Sequence, residues 1–230
     1  MADPLGAATA RAELKAPATL QAPLFRSLLQ GIDEDRRIVV LDLGAAQSRT
    51  IALFGRFRCR LEIVDLAAGL EALTALAETA AREQAVERLL PPPRAEPFDV
   101  VLCWDLMNYV DRSALAALMS GIARRCRPGA LAHGLIVYLE SRMPAQPGCY
   151  VPLEDCRLLN LAAAKTDRAA PRYSPEDLTT CMPDFSIERG RLLANGMQEF
   201  LFERRGSRPA QRPPGPRADR RARPQAPVSH

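Results

Sequence analysis

Three acidic residues stand where strand-like runs end. Asp42 follows Ile38-Val39-Val40-Leu41, Asp65 follows the alternating run from Arg58 to Val64, and Asp105 follows Phe98-Asp99-Val100-Val101-Leu102-Cys103-Trp104. A carboxylate at the end of a buried strand can orient a ligand, because its two oxygens accept several hydrogen bonds. After Asp42 come Gly44-Ala45-Ala46-Gln47 and a helical pattern from Ser48. A strand that stops at glycine and hands over to a helix is how α/β sheets build a ligand crevice. The segment Trp104-Asp105-Leu106-Met107-Asn108-Tyr109 gathers the sole tryptophan, an acid, an amide and a phenol. An aromatic ring exposed there can stack on a planar ligand. Each residue also has a scaffold reading. Asp42 can fasten its loop, Gly44 can serve the turn, Asp65 can cap the helix that starts at Leu66, Asp105 can hold a turn, and Trp104 and Tyr109 can pack beneath the crevice.

The elements that must position these residues follow from apolar spacing. Thr19 to Gly31 predicts a helix with Gly31 at its C-terminus. Ile38–Leu41 reads as a strand buried on both faces, Ser48–Phe57 as a short helix, and Arg58–Asp65 as a second strand, together a βαβ unit. Leu66–Leu90 predicts one long helix ended by Pro91-Pro92-Pro93. Phe98–Asp105 predicts a buried strand, Asp111 caps the next helix, Arg127-Pro128-Gly129 is a turn, and Leu131–Leu139 is a strand. Residues 141–170 read as an irregular loop followed by a helix over Leu153–Ala164. Ser174-Pro175 predicts an N-cap with proline at the first helical position. Asn195-Gly196, between the apolar runs Phe185–Leu193 and Met197–Glu203, predicts a hairpin.

Composition narrows the function classes. Of 230 residues, 47% are apolar and 25% charged, an ordinary globular balance. The net charge of +4 lies in the tail, where Arg208, Arg212, Arg217, Arg220, Arg221 and Arg223 face one acid, Asp219. The near-neutral body argues against a broad nucleic-acid footprint, and the tail has no aromatic residue to stack on bases. Any nucleic-acid contact is confined to that tail. None of the six cysteines forms a C-x-x-C pair, and His133 is the only internal histidine, so no metal site is expected. His133 sits inside a strand and reads as a core residue, not a base. No basic-then-apolar leader and no membrane-length apolar run is present, so a cytoplasmic protein is expected. Residues 1–17 read as a disordered arm, 18–205 as one α/β domain and 206–230 as a disordered Arg/Pro-rich tail. G-x-G-x-x-G, P-loop and G-x-S-x-G patterns are absent.

The order of these pieces resembles the class I S-adenosylmethionine-dependent methyltransferase family, in a bacterial-type member. Val40-Leu41-Asp42-Leu43-Gly44 looks like its first motif, and Asp65 stands 21 residues after Gly44, where the family keeps an acid for the ribose hydroxyls. Phe98-Asp99-Val100-Val101, Arg127-Pro128-Gly129 and Arg172-Tyr173-Ser174-Pro175-Glu176-Asp177-Leu178 resemble its later motifs, so the likeness spans about residues 36–205. The sequence departs from the family at two points. Ala46 and Ser48 stand where the pattern has glycines, and the third strand is absent or vestigial at Val86–Leu90. The resemblance implies a Rossmann-like, doubly wound, mostly parallel sheet with a C-terminal antiparallel hairpin. It implies S-adenosylmethionine held by Asp42, Gly44, Ala45, Ala46, Gln47, Asp65, Leu66 and Asp105. A small-molecule methyl acceptor would lie by Trp104, Asn108 and Tyr109. No catalytic residue is singled out. The alternative is a non-catalytic protein of the same fold that acts as a binding or regulatory partner.

Overall fold

The computed structural model describes residues 18–161 and 166–206, so the expected arm over 1–17 and nearly all of the tail lie outside the described residues. The chain opens with strand β1 (Ala18–Leu20) and helix α1 (Pro23–Gln30). The helix expected from Thr19 starts four residues late. Pro23 occupies its first turn and disfavours helical geometry at Ala22, while Thr19 and Leu20 pair with a distant strand. Next come β2 (Ile38–Asp42), buried at every position, α2 (Ser48–Phe54) and β3 (Cys59–Ile63).

The long helix expected over 66–90 is broken. A 3-10 turn at Ala67–Gly69 leads into α3 (Leu70–Ala75), and α4 (Thr79–Leu89) follows after extended residues at Leu76 and Glu78. In one continuous helix Leu73 and Val86 would lie about 220° apart around the axis. The break lets both enter the same core. Val86 to Leu90 is therefore helical up to Leu89, with no strand vestige.

Then come β4 (Phe98–Trp104), a 3-10 turn at Leu106–Tyr109, and α5 (Arg112–Ala123). Asp111 caps α5 as expected, its carboxylate accepting from the Ala114 N–H at 2.7 Å. β5 runs from Cys126 to Val137 and takes in the expected turn at Arg127-Pro128-Gly129. Gly129, at φ 81°, lets the strand bulge, so the pairing with β4 jumps from Phe98–Cys126 to Val100–Leu131.

Four three-residue strands follow: β6 (Arg142–Pro144), β7 (Tyr150–Pro152), β8 (Leu158–Asn160) and β9 (Asp167–Ala169). A turn over residues 154–156 and then β8 stand where the helix over Leu153–Ala164 is expected, because Leu158 is buried and its strand pairs with both β1 and β7. Residues 162–165 lie outside the described set. Helix α6 (Pro175–Cys181) has a full capping box between Ser174 and Asp177. β10 (Phe185–Leu192) and β11 (Met197–Arg204) form the expected hairpin about Asn195-Gly196.

The main sheet has the order β3-β2-β4-β5-β11-β10. β3, β2, β4 and β5 are parallel, and β11 and β10 run antiparallel. Alternate residues of β2 feed opposite faces. Val39 and Leu41 join a core with α3, α4, α5 and α6, while Ile38 and Val40 join one with α1 and α2. The fold is thus the expected doubly wound sheet with a C-terminal hairpin. β3 is its edge, and among the described residues no further strand lies outside it. Charge flanks that edge. Arg60 meets Glu62 at 2.9 Å and Glu96 at 3.5 Å, and Arg94 meets Glu62 at 3.3 Å.

Candidate functional site

In the parallel register Asp42 lies opposite Ile63 on one side and Leu102 on the other. Asp65 and the Trp104–Asp105 pair therefore emerge beside Asp42 at the carboxyl end of the sheet. The backbone knits this end together: Leu43 N–H donates to Leu102 O, Val64 N–H to Asp42 O, and Leu66 N–H to Leu43 O.

Asp42 is 1% exposed. Its Oδ1 accepts from Gly44 N–H at 3.0 Å and from the Trp104 indole Nε1–H at 2.6 Å. Burial pushes its carboxyl up to about 6, and the charge of Asp65 adds to the rise against those two hydrogen bonds. Gly44 is not in the left-handed region. It is needed for room, since a Cβ there would stand 2.8 Å from two atoms of the Trp104 ring. Asp65 is exposed and accepts from Ala67 N–H at 3.1 Å, so it caps the following turn through one oxygen. Leu66 is fully buried, Ala45 and Gln47 are half-buried, and Ala46 is exposed.

The cluster after β4 holds down a cover made by the chain between β6 and β7. Both Asp105 oxygens accept from Gly148 N–H, at 3.1 and 2.9 Å, and the Tyr150 hydroxyl lies 3.4 Å away. Burial pushes the Asp105 carboxyl up to about 6. The Tyr109 hydroxyl donates to Gln146 O at 2.7 Å, and burial raises its phenol. Gln47 donates to Cys149 Sγ at 3.0 Å. Burial, then the charges of Asp65 and Asp42, push the Cys149 thiol up. Trp104 stacks on Tyr150 with centroids 5.9 Å apart and planes at 15°. Asn108 faces inward. Its amide donates to Asp105 O and Leu135 O, and its carbonyl accepts from Val137 N–H.

Sequence reasoning missed the cover itself. Gln146, Gly148 and Tyr150 lie in the stretch read as an irregular loop, and no local pattern there points back to Asp105. Glu199 was missed too. It is fully buried, accepts from Leu24 N–H and Phe25 N–H at 2.9 and 2.8 Å, and meets His133 Nε2 at 2.9 Å. This His–Glu pair anchors α1 to the sheet inside the core, which matches the core reading of His133.

The cover also borders a cavity of about 780 Å³, lined by Ala67, Leu70, Thr74, Tyr109, Gln146 and Arg168. The Arg168 guanidinium lies 5.8 Å from the centre of the Tyr109 ring. Asp42, Asp65 and Asp105 form no ion pair among the described residues. The same residues contain no group of three or more His, Cys, Asp or Glu placed to hold a metal ion.

Residues 15–185 match the model of a methyltransferase-domain family. The chain belongs to that family. The resemblance to class I S-adenosylmethionine-dependent methyltransferases stands with it. Among solved structures, the chain is similar to the Burkholderia thailandensis 1,6-didemethyltoxoflavin-N1-methyltransferase, which holds 1,6-didemethyltoxoflavin and S-adenosylhomocysteine. The identity is 18% over 80% of this chain and 77% of that one, with a TM-score of 0.46. It is also similar to the N-methyltransferase NodS of Bradyrhizobium japonicum in complex with S-adenosylhomocysteine, at 14% identity over 79% and 86%, with a TM-score of 0.42. An S-adenosylmethionine-dependent methyltransferase of Clostridium acetobutylicum aligns at 11% identity over 80% and 89%, with a TM-score of 0.45. No curated protein matches the sequence. Among the described residues, no helix of this family member is long and apolar enough to cross a membrane.

Proposed function

We propose that the crevice at the carboxyl end of β2 and β4 binds S-adenosylmethionine and that the protein methylates a small molecule. The observation that carries this reading is the charge of the site. Asp42 and Asp65 lie close enough there to repel, and Asp105 ends the neighbouring strand. None of the three forms an ion pair among the described residues, and burial raises Asp42 and Asp105 to about 6. Such a site favours a ligand that brings positive charge, because a nearby cation stabilises the ionised carboxylates. The cofactor carries an ammonium, a sulfonium and a vicinal diol, and the donor set fits it. Asp65 would take the diol through its two oxygens. Asp42, with the backbone of Gly44 to Gln47, would face the methionine end, and Leu66 would border the nucleoside.

When bound, the cofactor supplies an activated methyl group. The residues of this chain act by positioning. They hold both partners in line and keep water out, which can supply most of the rate. The cover over Gln146–Tyr150 excludes water. The cavity beside Tyr109 is on the scale of a small-molecule site and would admit the acceptor. Tyr109, which borders that cavity, would face the acceptor. We take the protein to act in the cytoplasm, a reading supported by six free cysteines.

The test is calorimetric titration of the full chain with S-adenosylmethionine and S-adenosylhomocysteine. Micromolar binding that is lost in Asp65→Ala is expected. No binding up to millimolar ligand in folded protein overturns the reading.

A further inference from the structure

The crevice suits the cofactor in charge, yet in this conformation its centre is filled by the protein itself. The Trp104 indole lies against the bare face of Gly44, in the room a side chain would need. Its Nε1–H sits 2.6 Å from Asp42 Oδ1, on the carboxylate a ligand's ammonium would seek. Trp104 as a whole is 2% exposed. The backbone of Trp104 is at φ 49°, a left-handed conformation that bulky residues rarely adopt. Such a conformation persists where the surroundings hold it, and it is common at switch regions. Here the surroundings are the cover. Tyr150 stacks on the indole, Gly148 is tied to Asp105, Gln146 to Tyr109, and Cys149 to Gln47. Four residues of the crevice, Gln47, Trp104, Asp105 and Tyr109, thus make contacts that keep it shut.

Resting on the reading that this crevice takes S-adenosylmethionine, we propose that Trp104 is an internal plug. Its indole occupies the Gly44 face and the Asp42 oxygen that the methionine end of the cofactor needs, and the cofactor binds by displacing it. The plug makes the protein its own competitor. Apparent affinity is reduced by the fraction of molecules in which the indole is seated, and weakening the seat restores it.

Trp104 is the only tryptophan in the chain, so its emission reports its own position. S-Adenosylhomocysteine added to the full-length protein is expected to shift that emission to the red and to expose the ring to acrylamide. Trp104→Phe keeps a ring but loses the N–H donor, and it is expected to bind S-adenosylhomocysteine about tenfold tighter by calorimetry. Tyr150→Leu loosens the seat from the cover side and is expected to tighten binding several-fold, which gives a second variant should the first fold poorly. Circular dichroism checks that each is folded. Trp104 that stays shielded at saturating ligand, or variants that bind equally or more weakly, overturn the plug and leave the cofactor reading intact. No binding by any of the three folded proteins overturns both.

Discussion

Two ends of one sheet treat a buried aspartate in opposite ways. At the amide end, Asp99 is 7% exposed and is met by Arg36, by Arg127 at 2.9 Å and by the Val39 N–H at 2.8 Å. At the carboxyl end, Asp42 is more deeply buried and receives only neutral donors, from Gly44 and Trp104. The first carboxylate has its charge balanced inside the fold. The second does not, and neither do its neighbours Asp65 and Asp105. A scaffold does not need that imbalance, since a buried charge without a counter-ion destabilises it. The contrast separates an aspartate whose charge is met inside the fold from one whose charge is not, and the proposed ligand site rests on the second.

Substitutions can break this contrast. The largest effect is expected from Asp42→Asn. The amide oxygen can still accept from Gly44 and Trp104, so the fold should survive with stability unchanged or slightly raised at neutral pH. Affinity for S-adenosylmethionine should fall by roughly thirtyfold, the scale of one charge-assisted hydrogen bond. Equal affinity in the variant would mean that the charge at this end is not used. Asp99→Ala should do the reverse. It should lower stability by about 2 kcal/mol in urea unfolding, through the unpaired Val39 N–H and two unpaired arginines, while ligand affinity stays as in the parent protein.

A smaller effect is expected from pH. Asp42 and Asp105 both have folded-state values near 6, above the ordinary 3.8. A carboxyl with a raised value stabilises the fold while it is protonated, and that contribution is lost as pH rises through 6. Unfolding free energy should therefore drop between pH 5 and pH 7 by roughly 1 kcal/mol for each of the two carboxyls, and Asp105→Asn should remove its share of that slope. Ligand affinity should move the opposite way and rise over the same interval, because a cation prefers the ionised site. Stability that instead climbs from pH 5 to pH 7 would remove the electrostatic basis of the comparison.

Much of the scaffold was legible in residue order. Ile38–Leu41 and Val100–Trp104 are short, β-branched-rich apolar runs bounded by turn residues, the pattern of central parallel strands. Ser174-Pro175 and Asn195-Gly196 carry their geometry in their own chemistry. The region between β5 and α6 was not legible, because three-residue strands have no period to read and their partners are remote. β1 and β8 pair Ala18 with Asn160, and Gln47 meets Cys149. The site was half legible. The acids at the strand ends could be read from the runs that precede them. The direction of the Trp104 ring could not, because it depends on a left-handed backbone at a residue that rarely takes one. The role of Gly44 was hidden for the same reason, since its empty side is filled by an indole from the end of the neighbouring strand, 60 residues on in the sequence.

The edge strand β3 has a consequence for how these molecules meet one another in a crowded solution. A parallel sheet that ends one strand early leaves a row of amides and carbonyls that could recruit an extended segment from any neighbour. Here a newcomer would have to settle among Arg60, Glu62, Arg94 and Glu96, already engaged with one another. It would have to disrupt those contacts before its first ladder bond formed. Shortening the sheet thus need not make the protein sticky, and neutralising that quartet is the change most apt to turn a solitary chain into a seed for aggregates.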